Sequence, residues 1–173
     1  MKETKEYDIA ARNFYEKQEL NSLPLSSWDL FSSKFDILCK GFDEIKLLKT
    51  IAASEKWADC ASFEKEILEN KHIVVVTDAE LNIVHASDGI FEMNGYRPEE
   101  IMGRKPKMFQ GAKTCKKTAR DIRNAIKEQR SFEATVLNYR KDGTTYNCWI
   151  KGLPVRNNKG KVVNFIAFER EVA

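Results

Sequence analysis

Two turn signals in the C-terminal half constrain the fold of this 173-residue chain more than any other feature. Lys141-Asp142-Gly143 and Asn157-Asn158-Lys159-Gly160 separate three segments, 131–140, 144–155 and 161–171, that are rich in β-branched and aromatic residues. In the first segment, Phe132, Ala134, Val136 and Asn138 alternate with Glu133, Thr135, Leu137 and Tyr139, which is the two-residue period of a strand. Asp-Gly and Asn-rich sequences with glycine favour tight turns. We therefore predict three consecutive antiparallel strands.

Two further strands and a group of helices precede these three. His72–Thr77 and Ile83–Ala86 are short β-branched segments joined by turn residues, as is typical of strands. Helices are predicted over Asp88–Met93, Pro98–Met102 and Thr114–Gln129, and a glycine follows each of the first two. The order of two strands, helices and three strands predicts an α+β fold, with a five-stranded antiparallel sheet and helices on one face.

Residues 1–70 differ in character and are predicted to form a helical extension ahead of a domain that spans residues 71–173. Apolar residues recur at helical spacing around Phe14, from Ser26 to Leu38, from Phe42 to Ala52 and over Ala61–Glu69. Ser26 is suited to cap its helix, and Gly41 is predicted to separate that helix from the next. These apolar stripes need a partner surface, which is either the second half of the chain or another subunit.

Composition limits the classes of function. The four cysteines are far apart in the sequence and only two histidines are present, which argues against a zinc site and against nucleophilic catalysis by a Ser-His or Cys-His pair. No apolar segment approaches the roughly 20 residues of a membrane span, and the N-terminus lacks the apolar core of a secretory signal. We expect a cytoplasmic protein with reduced thiols, no membrane segment, no metal and no catalytic role.

Charge is distributed unevenly along the chain. Residues 1–70 contain 10 Lys and Arg against 14 Asp and Glu, a net of −4, whereas the other 103 residues contain 19 against 12, a net of +7. The segment from Gly103 to Arg130 holds ten of these basic residues. Such a stretch either binds an anion or forms a solvated helix face. Because no RNA- or DNA-binding motif accompanies it, we expect no nucleic-acid partner.

Several short motifs lie in order between Ile73 and Glu169. They are GRKPKMFQG at 103–111, IRNAI at 122–126, LNYRKDG at 137–143 and a Pro-x-Arg sequence at 154–156 followed by Gly160. These motifs resemble those of the PAS domain superfamily, and in particular its light-oxygen-voltage (LOV) branch of flavin photoreceptors, where the first three read GRNCRFLQG, IRDAI and INYTKSG. The resemblance implies a PAS fold and a sensory function.

The resemblance also locates the positions that hold flavin in the LOV branch. Pro106 stands where that branch has the cysteine that forms a flavin adduct, so the adduct reaction is excluded. The retained positions are Gln110, Arg123 and Asn138. At the other positions Lys105 replaces an asparagine, Lys107 an arginine, Cys148 a second asparagine and Glu169 a glutamine. With these replacements no cofactor is expected, and FMN is the alternative.

The pocket of this family lies between the sheet and the central helices. The resemblance implies that the ligand-binding residues are Gln110, Arg123, Asn138, Cys148, Ile150 and Glu169. The inward apolar residues it implies are Phe91, Met108, Ile122, Ile126, Val136, Ile150, Leu153 and Phe168. Three functions remain open: a stand-alone sensory module that binds a small apolar or anionic ligand or a protein partner, a flavin-binding LOV-like protein without adduct chemistry, and a structural interaction module with a closed core.

Self-association is expected from the extension. Its stripes include Trp28, Phe31, Phe35, Phe42 and Ile45, and one small sheet covers only part of such a surface. An exposed apolar patch of more than a few hundred Å² is unusual for a monomer, and symmetric pairing is the commonest way to bury one. We therefore predict a homodimer held partly by residues 1–70, which also presents a surface to a signalling partner.

Overall fold

The computed structural model of the chain describes residues 26–58 and 63–173. The helical stripe around Phe14, and the start of the helix expected over Ala61–Glu69, lie outside these residues. One compact unit extends from Lys40 to Ala173, and the domain boundary expected at residue 71 stays a prediction. Within the described ranges, no helix is long and apolar enough to cross a membrane.

Five strands form a single antiparallel sheet in the order β2-β1-β5-β4-β3. The strands are β1 (Ile73–Asp78), β2 (Ile83–Ala86), β3 (Phe132–Tyr139), β4 (Thr145–Arg156) and β5 (Val162–Val172). The predicted five-stranded sheet is confirmed, because turn chemistry and β-branched content mark the ends and interiors of these strands. Strand β5 lies at the centre and pairs with β1 on one side and β4 on the other.

Helix α1 (Ser26–Ser54) continues through Gly41 without a break, so the prediction of two helices separated at this glycine is wrong. A Cβ atom at Gly41 would lie 2.6 Å from Cδ2 of Leu68, in the π-helical turn Lys65–Glu69. Glycine in a helix interior costs only about 1 kcal/mol relative to alanine. Here it allows the turn to pack directly against the helix backbone.

The C-terminal half of α1 packs on the outer face of the sheet. Leu48 and Ala52 lie in one buried cluster with Trp57, Phe63, Val74, Val76, Val155, Ile166 and Phe168. Polar contacts fix this layer: Glu44 Oε1 lies 2.6 Å from His85 Nε2 on β2, and the Trp57 indole donates to Asn164 Oδ1 at 2.8 Å. From Lys40 onward, the extension therefore covers the domain's own sheet.

The inner face carries the remaining helices. They are α2 (Gly89–Asn94), α3 (Pro98–Ile101), the 3-10 turn Pro106–Phe109, which the sequence analysis missed, and α4 (Lys116–Lys127). Their second core cluster contains Val75, Ile83, Ala86, Ile90, Met93, Ile101, Phe109, Tyr146 and Cys148. Val75 lies in this cluster while its neighbours Val74 and Val76 lie in the other, because successive strand residues face opposite sides. The sheet is thus covered on both faces.

The outer layer yields a stability prediction from two neighbouring leucines of α1. Leu48 is fully buried, whereas Leu47 is 46% exposed. We expect Leu48→Ala to lower the free energy of unfolding by about 2 to 5 kcal/mol, since it leaves a cavity between helix and sheet. Leu47→Ala, a matched control, is expected to change it by less than about 0.5 kcal/mol.

Urea unfolding of both variants and of the wild type measures these differences. Equal effects of the two substitutions would show that α1 does not pack on the sheet in solution.

Candidate functional site

A cavity of about 100 Å³ lies between the inner face of the sheet and the central helices. Most of its wall is apolar and comes from β1, β4, β5 and α4. The lining residues are Val75, Thr77, Leu81, Pro106, Phe109, Gln110, Ile122, Ile126, Phe132, Asn138, Ile150, Gly152, Phe165, Ile166, Ala167 and Glu169. The strands supply alternate residues to it, which is why Ala167 and Glu169 of β5 both reach the cavity.

Two polar atoms of this wall have no hydrogen-bond partner among the described residues. They are Oγ1 of Thr77 and Oδ1 of Asn138, and both side chains are buried. Leaving a buried polar atom unpaired costs about 1–3 kcal/mol, so native proteins satisfy nearly all of them. The cavity therefore offers hydrogen-bonding sites that a ligand or ordered water can fill.

Glu169 places a carboxyl group inside this apolar wall. Its strand neighbours are Ile73 on β1 and Ile150 on β4, and the thiol of Cys148 donates to its Oε2 at 3.5 Å. Burial raises the pKa of Glu169 to about 7, although the Cys148 hydrogen bond acts in the opposite direction. Burial and the nearby Glu169 carboxyl raise the pKa of the Cys148 thiol. At neutral pH the carboxyl is therefore close to its midpoint of titration.

A second buried polar group adjoins Asn138. Tyr146 lies opposite Asn138 in the β3–β4 pair, and neither its hydroxyl nor Nδ2 of Asn94 has a hydrogen-bond partner in the described chain. Burial, with the charges of Cys148 and Glu169, raises the pKa of Tyr146, while Asn138 and Asn94 act to lower it. Tyr146 is thus a buried hydroxyl beside Asn138, two residues along β4 from the Cys148 thiol that contacts Glu169.

The structure separates the six predicted ligand-binding residues into three sets. Gln110, Asn138, Ile150 and Glu169 line the cavity. Cys148 is buried beside Glu169 rather than in the cavity wall. Arg123 is exposed on α4 and faces an open groove outside the cavity. The six assignments stay predictions, but only four of the residues are positioned to contact a ligand enclosed in the cavity.

The groove beside α4 is strongly basic. It is lined by Lys107, Gln110, Gly111, Thr114, Lys116, Ala119, Arg120 and Arg123, and Gln110 also lines the cavity. None of its four cationic side chains forms an ion pair with a described acidic residue. The exposed groove is open to anions, whereas the wall of the cavity is mostly apolar.

Three residues expected to face inward do not. Leu153 and Phe168 belong to the outer cluster under α1, and Phe91 is 48% exposed. Strand alternation accounts for the first two, since Leu153 is an odd number of residues from Ile150 and Phe168 adjoins Glu169. Applied to the sequence from Ile150 and Glu169, the same alternation would have placed Leu153 and Phe168 on the outer face of the sheet.

Two cavity features were missed in the sequence. Thr77 supplies one of the unpartnered oxygens, and Phe132 packs across the sheet onto Gly152. A Cβ atom at Gly152 would lie 2.3 Å from the Phe132 ring, so the ring occupies space that a side chain at 152 would otherwise fill. No sequence pattern marks this pair. Among the described residues, no group of three or more His, Cys, Asp or Glu side chains could hold a metal ion.

The family model of the PAS domain matches residues 70–173. The chain belongs to the PAS domain family. Phototropin-2 of Oryza sativa subsp. japonica is 41% identical over 102 residues, which cover 57% of this chain and 11% of that protein. Protein TWIN LOV 1 of Arabidopsis thaliana is 42% identical over 110 residues, which cover 61% of this chain and 28% of that protein. The chain therefore spans a minor part of these relatives.

Solved structures show the same fold. The dark structure of the blue-light photoreceptor Aureochrome1 LOV superposes with a TM-score of 0.61 at 33% identity, covering 66% of this chain and 86% of that chain. Similarity also reaches a human voltage-gated inwardly rectifying potassium channel, KCNH3, at 29% identity over 93 residues, 53% of this chain and 9% of that protein. Relatives with quite different whole-protein roles thus share this PAS domain, which has close LOV homologues.

Glu169 makes stability depend on pH. The pKa of its carboxyl is about 7 in the folded protein against an ordinary value of 4.5. Between these values the folded state holds a proton that the unfolded state has released, so stability is greatest below pH 4.5 and falls as pH rises through 7. We expect the wild type to lose about 2 to 3 kcal/mol between pH 5 and pH 8.

Urea unfolding at the two pH values measures this loss, and Glu169→Gln should abolish most of it. Glu171→Gln is the control, since Glu171 is exposed and ion-paired with Arg140. Burial acts to raise the pKa of Glu66, but hydrogen bonds from Lys151, Asn70 and His72 bring it to about 2, so its contribution changes only below pH 4.5. An identical pH dependence in Glu169→Gln and wild type would contradict this assignment.

Proposed function

We propose that this PAS domain is a non-catalytic sensory module that binds a small, largely apolar ligand in the cavity of its inner face. The observation that carries the proposal is the combination of an enclosed apolar wall with unpartnered oxygens on Thr77 and Asn138. A closed core leaves few buried polar atoms unpaired. A ligand that supplies hydrogen bonds while filling apolar space would satisfy both features.

Cavity size restricts the ligand. Sites for cofactors and drug-sized molecules usually measure about 300–1,000 Å³, whereas this cavity measures about 100 Å³. A cavity of about 150 Å³ is known to accept benzene. The ligand that fits without rearrangement therefore has about four or five non-hydrogen atoms.

FMN is the alternative ligand, and the residues fit it only in part. Gln110 and Asn138 face the cavity and could bond a flavin, and Arg123 lies in the basic groove beside it. The tricyclic ring, however, is too large for a cavity of about 100 Å³ without rearrangement. Pro106 provides no thiol, and Glu169 places a titrating carboxyl in the wall. Together, these residues and the size of the cavity favour a smaller ligand over FMN.

In this proposal, strand β5 transmits a change in the cavity to the surface that a partner protein binds. Ala167 and Glu169 line the cavity, while Phe168, which lies between them, packs in the outer cluster with Leu48 and Ala52 of α1. A ligand that displaces the inner residues must also move Phe168, because they share a backbone. We infer that α1 is the element through which this module signals to another protein.

A cavity-filling variant tests ligand binding. Ala167→Leu adds three carbon atoms inside the cavity and should abolish the chemical-shift changes that millimolar isobutanol causes at Val75, Ile126 and Ile150 in the full chain. Ala79→Leu, at an exposed turn residue, should respond like the wild type. Native mass spectrometry of the same samples should show no bound FMN.

Two outcomes would count against the proposal. Stoichiometric FMN, with visible flavin absorption, would establish the flavin alternative. The absence of any isobutanol response in the wild type would establish a closed core and a purely structural module.

We further propose that the chain forms a homodimer through α1. Phe42 remains 59% exposed on this helix, at one end of an open groove lined by Ile45, Lys46, Lys49, Thr50 and Ala53. Large exposed apolar side chains in such grooves often mark protein interfaces. Phe42→Ser should halve the mass measured by light scattering, whereas Met102→Ser, at an exposed residue after α3, should not. A wild type that stays monomeric at high concentration would contradict the dimer.

A further inference from the structure

Glu169 is the only Asp, Glu, Lys or Arg among the buried residues of the described chain. Its side chain is buried, yet its one hydrogen-bond partner in this part of the chain is a neutral thiol. Buried carboxylates are normally paired with a cation or held by several hydrogen bonds, because desolvating a lone charge is costly. This carboxyl therefore has spare capacity to bind a group of opposite charge.

The elements packed around Glu169 supply no such charge. Strand β4 contributes the Cys148 thiol and the Tyr146 hydroxyl, β3 contributes Asn138, and β1 contributes apolar Ile73. The helical side of the cavity contributes apolar side chains and Gln110. On β5 itself, Arg170 lies over the ring of Trp149, and Arg140, which follows β3, is ion-paired with Glu171. Within the described chain, no lysine, arginine or histidine faces the carboxyl.

We propose that the cavity binds a small protonated amine, whose ammonium group pairs with Glu169 while its hydrocarbon part fills the apolar wall. This inference rests on the proposed function and names the ligand class. An ammonium carries several donors and no acceptor, which matches a buried carboxyl whose one partner is a thiol. The hydrocarbon part meets Val75, Ile122, Ile126 and Ala167.

Other ligand classes match the site less well. An anion would meet the Glu169 carboxylate in an apolar enclosure where repulsion is strong. A neutral alcohol can bond Asn138 but leaves the charge of Glu169 uncompensated above neutral pH. Of these classes, a cation alone neutralises the carboxylate.

Proton linkage gives this pairing a distinct signature. The ammonium binds the ionised carboxyl, and the pKa of Glu169 in the unliganded protein is about 7. Below that pH, binding must first release a proton, so the apparent Kd at pH 6 should be about tenfold higher than at pH 8. An alkylamine resembles the lysine side chain, whose pKa is about 10, and therefore stays protonated at pH 6 and at pH 8. A neutral ligand lacks this dependence.

Isobutylamine and isobutanol are matched probes because they share one carbon skeleton and differ in the polar group. Each is titrated into the full chain at pH 6 and pH 8, with side-chain methyl resonances of the cavity as the readout. For the wild type we expect isobutylamine to bind about tenfold more tightly at pH 8, and isobutanol to bind equally at both.

Variants separate the carboxyl from the cavity. Glu169→Gln should weaken isobutylamine binding at pH 8 at least tenfold while isobutanol still binds, which also shows that the variant is folded. Glu171→Gln, which removes an exposed carboxyl on the same strand, should bind both probes like the wild type.

The outcomes distinguish this inference from the function on which it rests. If isobutanol binds as tightly as isobutylamine at pH 8, or isobutylamine shows no pH dependence, the amine inference is wrong and the small-ligand cavity stands. If neither probe binds the wild type, both the inference and the proposed function are wrong.

Discussion

The pairing of β5 with both β1 and β4 is the constraint on which the rest of the structure depends. This central strand contributes alternate residues to two separate cores, with Phe168 packed under α1 and Glu169 enclosed on the opposite face. A shift of one residue in its register would exchange these faces and place a carboxyl under the helix. The hydrophobic pattern of β1 and β5 together therefore fixes both the helix layer and the position of the cavity.

The buried carboxyl of Glu169 is a local cost to the stability of the fold. Burying an ionisable group without a cation opposes folding, and an apolar residue of similar size at 169 would pack without that cost. Together with the unpaired oxygens of Thr77 and Asn138, it concentrates polar groups in a wall that is otherwise apolar. Such departures from ideal packing are expected where a protein binds something.

Much of the fold could be predicted from the sequence because its signals are local. Turn residues such as Asp142-Gly143 and strand alternation define β3 to β5 without any knowledge of tertiary contacts. Gly41 shows where local reasoning fails, since a glycine that usually ends a helix instead admits Leu68 against the helix backbone. That effect depends on a residue far away in the sequence, and no pattern near Gly41 reveals it.

The site was only partly predictable for a similar reason. Resemblance to the LOV branch led to Gln110, Asn138, Ile150 and Glu169, which all line the cavity, but it also pointed to Arg123, which faces outward. Resemblance transfers positions, whereas the size of the cavity depends on how side chains pack. The ring of Phe132 over Gly152 reduces that space, and only the folded structure places these two residues together.

The central claim is that the inner face of β5 borders a cavity that accepts a small apolar molecule. Xenon binds such cavities without needing any particular polar group, so a crystal of the full chain under xenon pressure tests the claim most directly. The account predicts a xenon atom in contact with Ile122, Ile150 and Ala167. A crystal without xenon at this place, whose side chains fill the space, would contradict it.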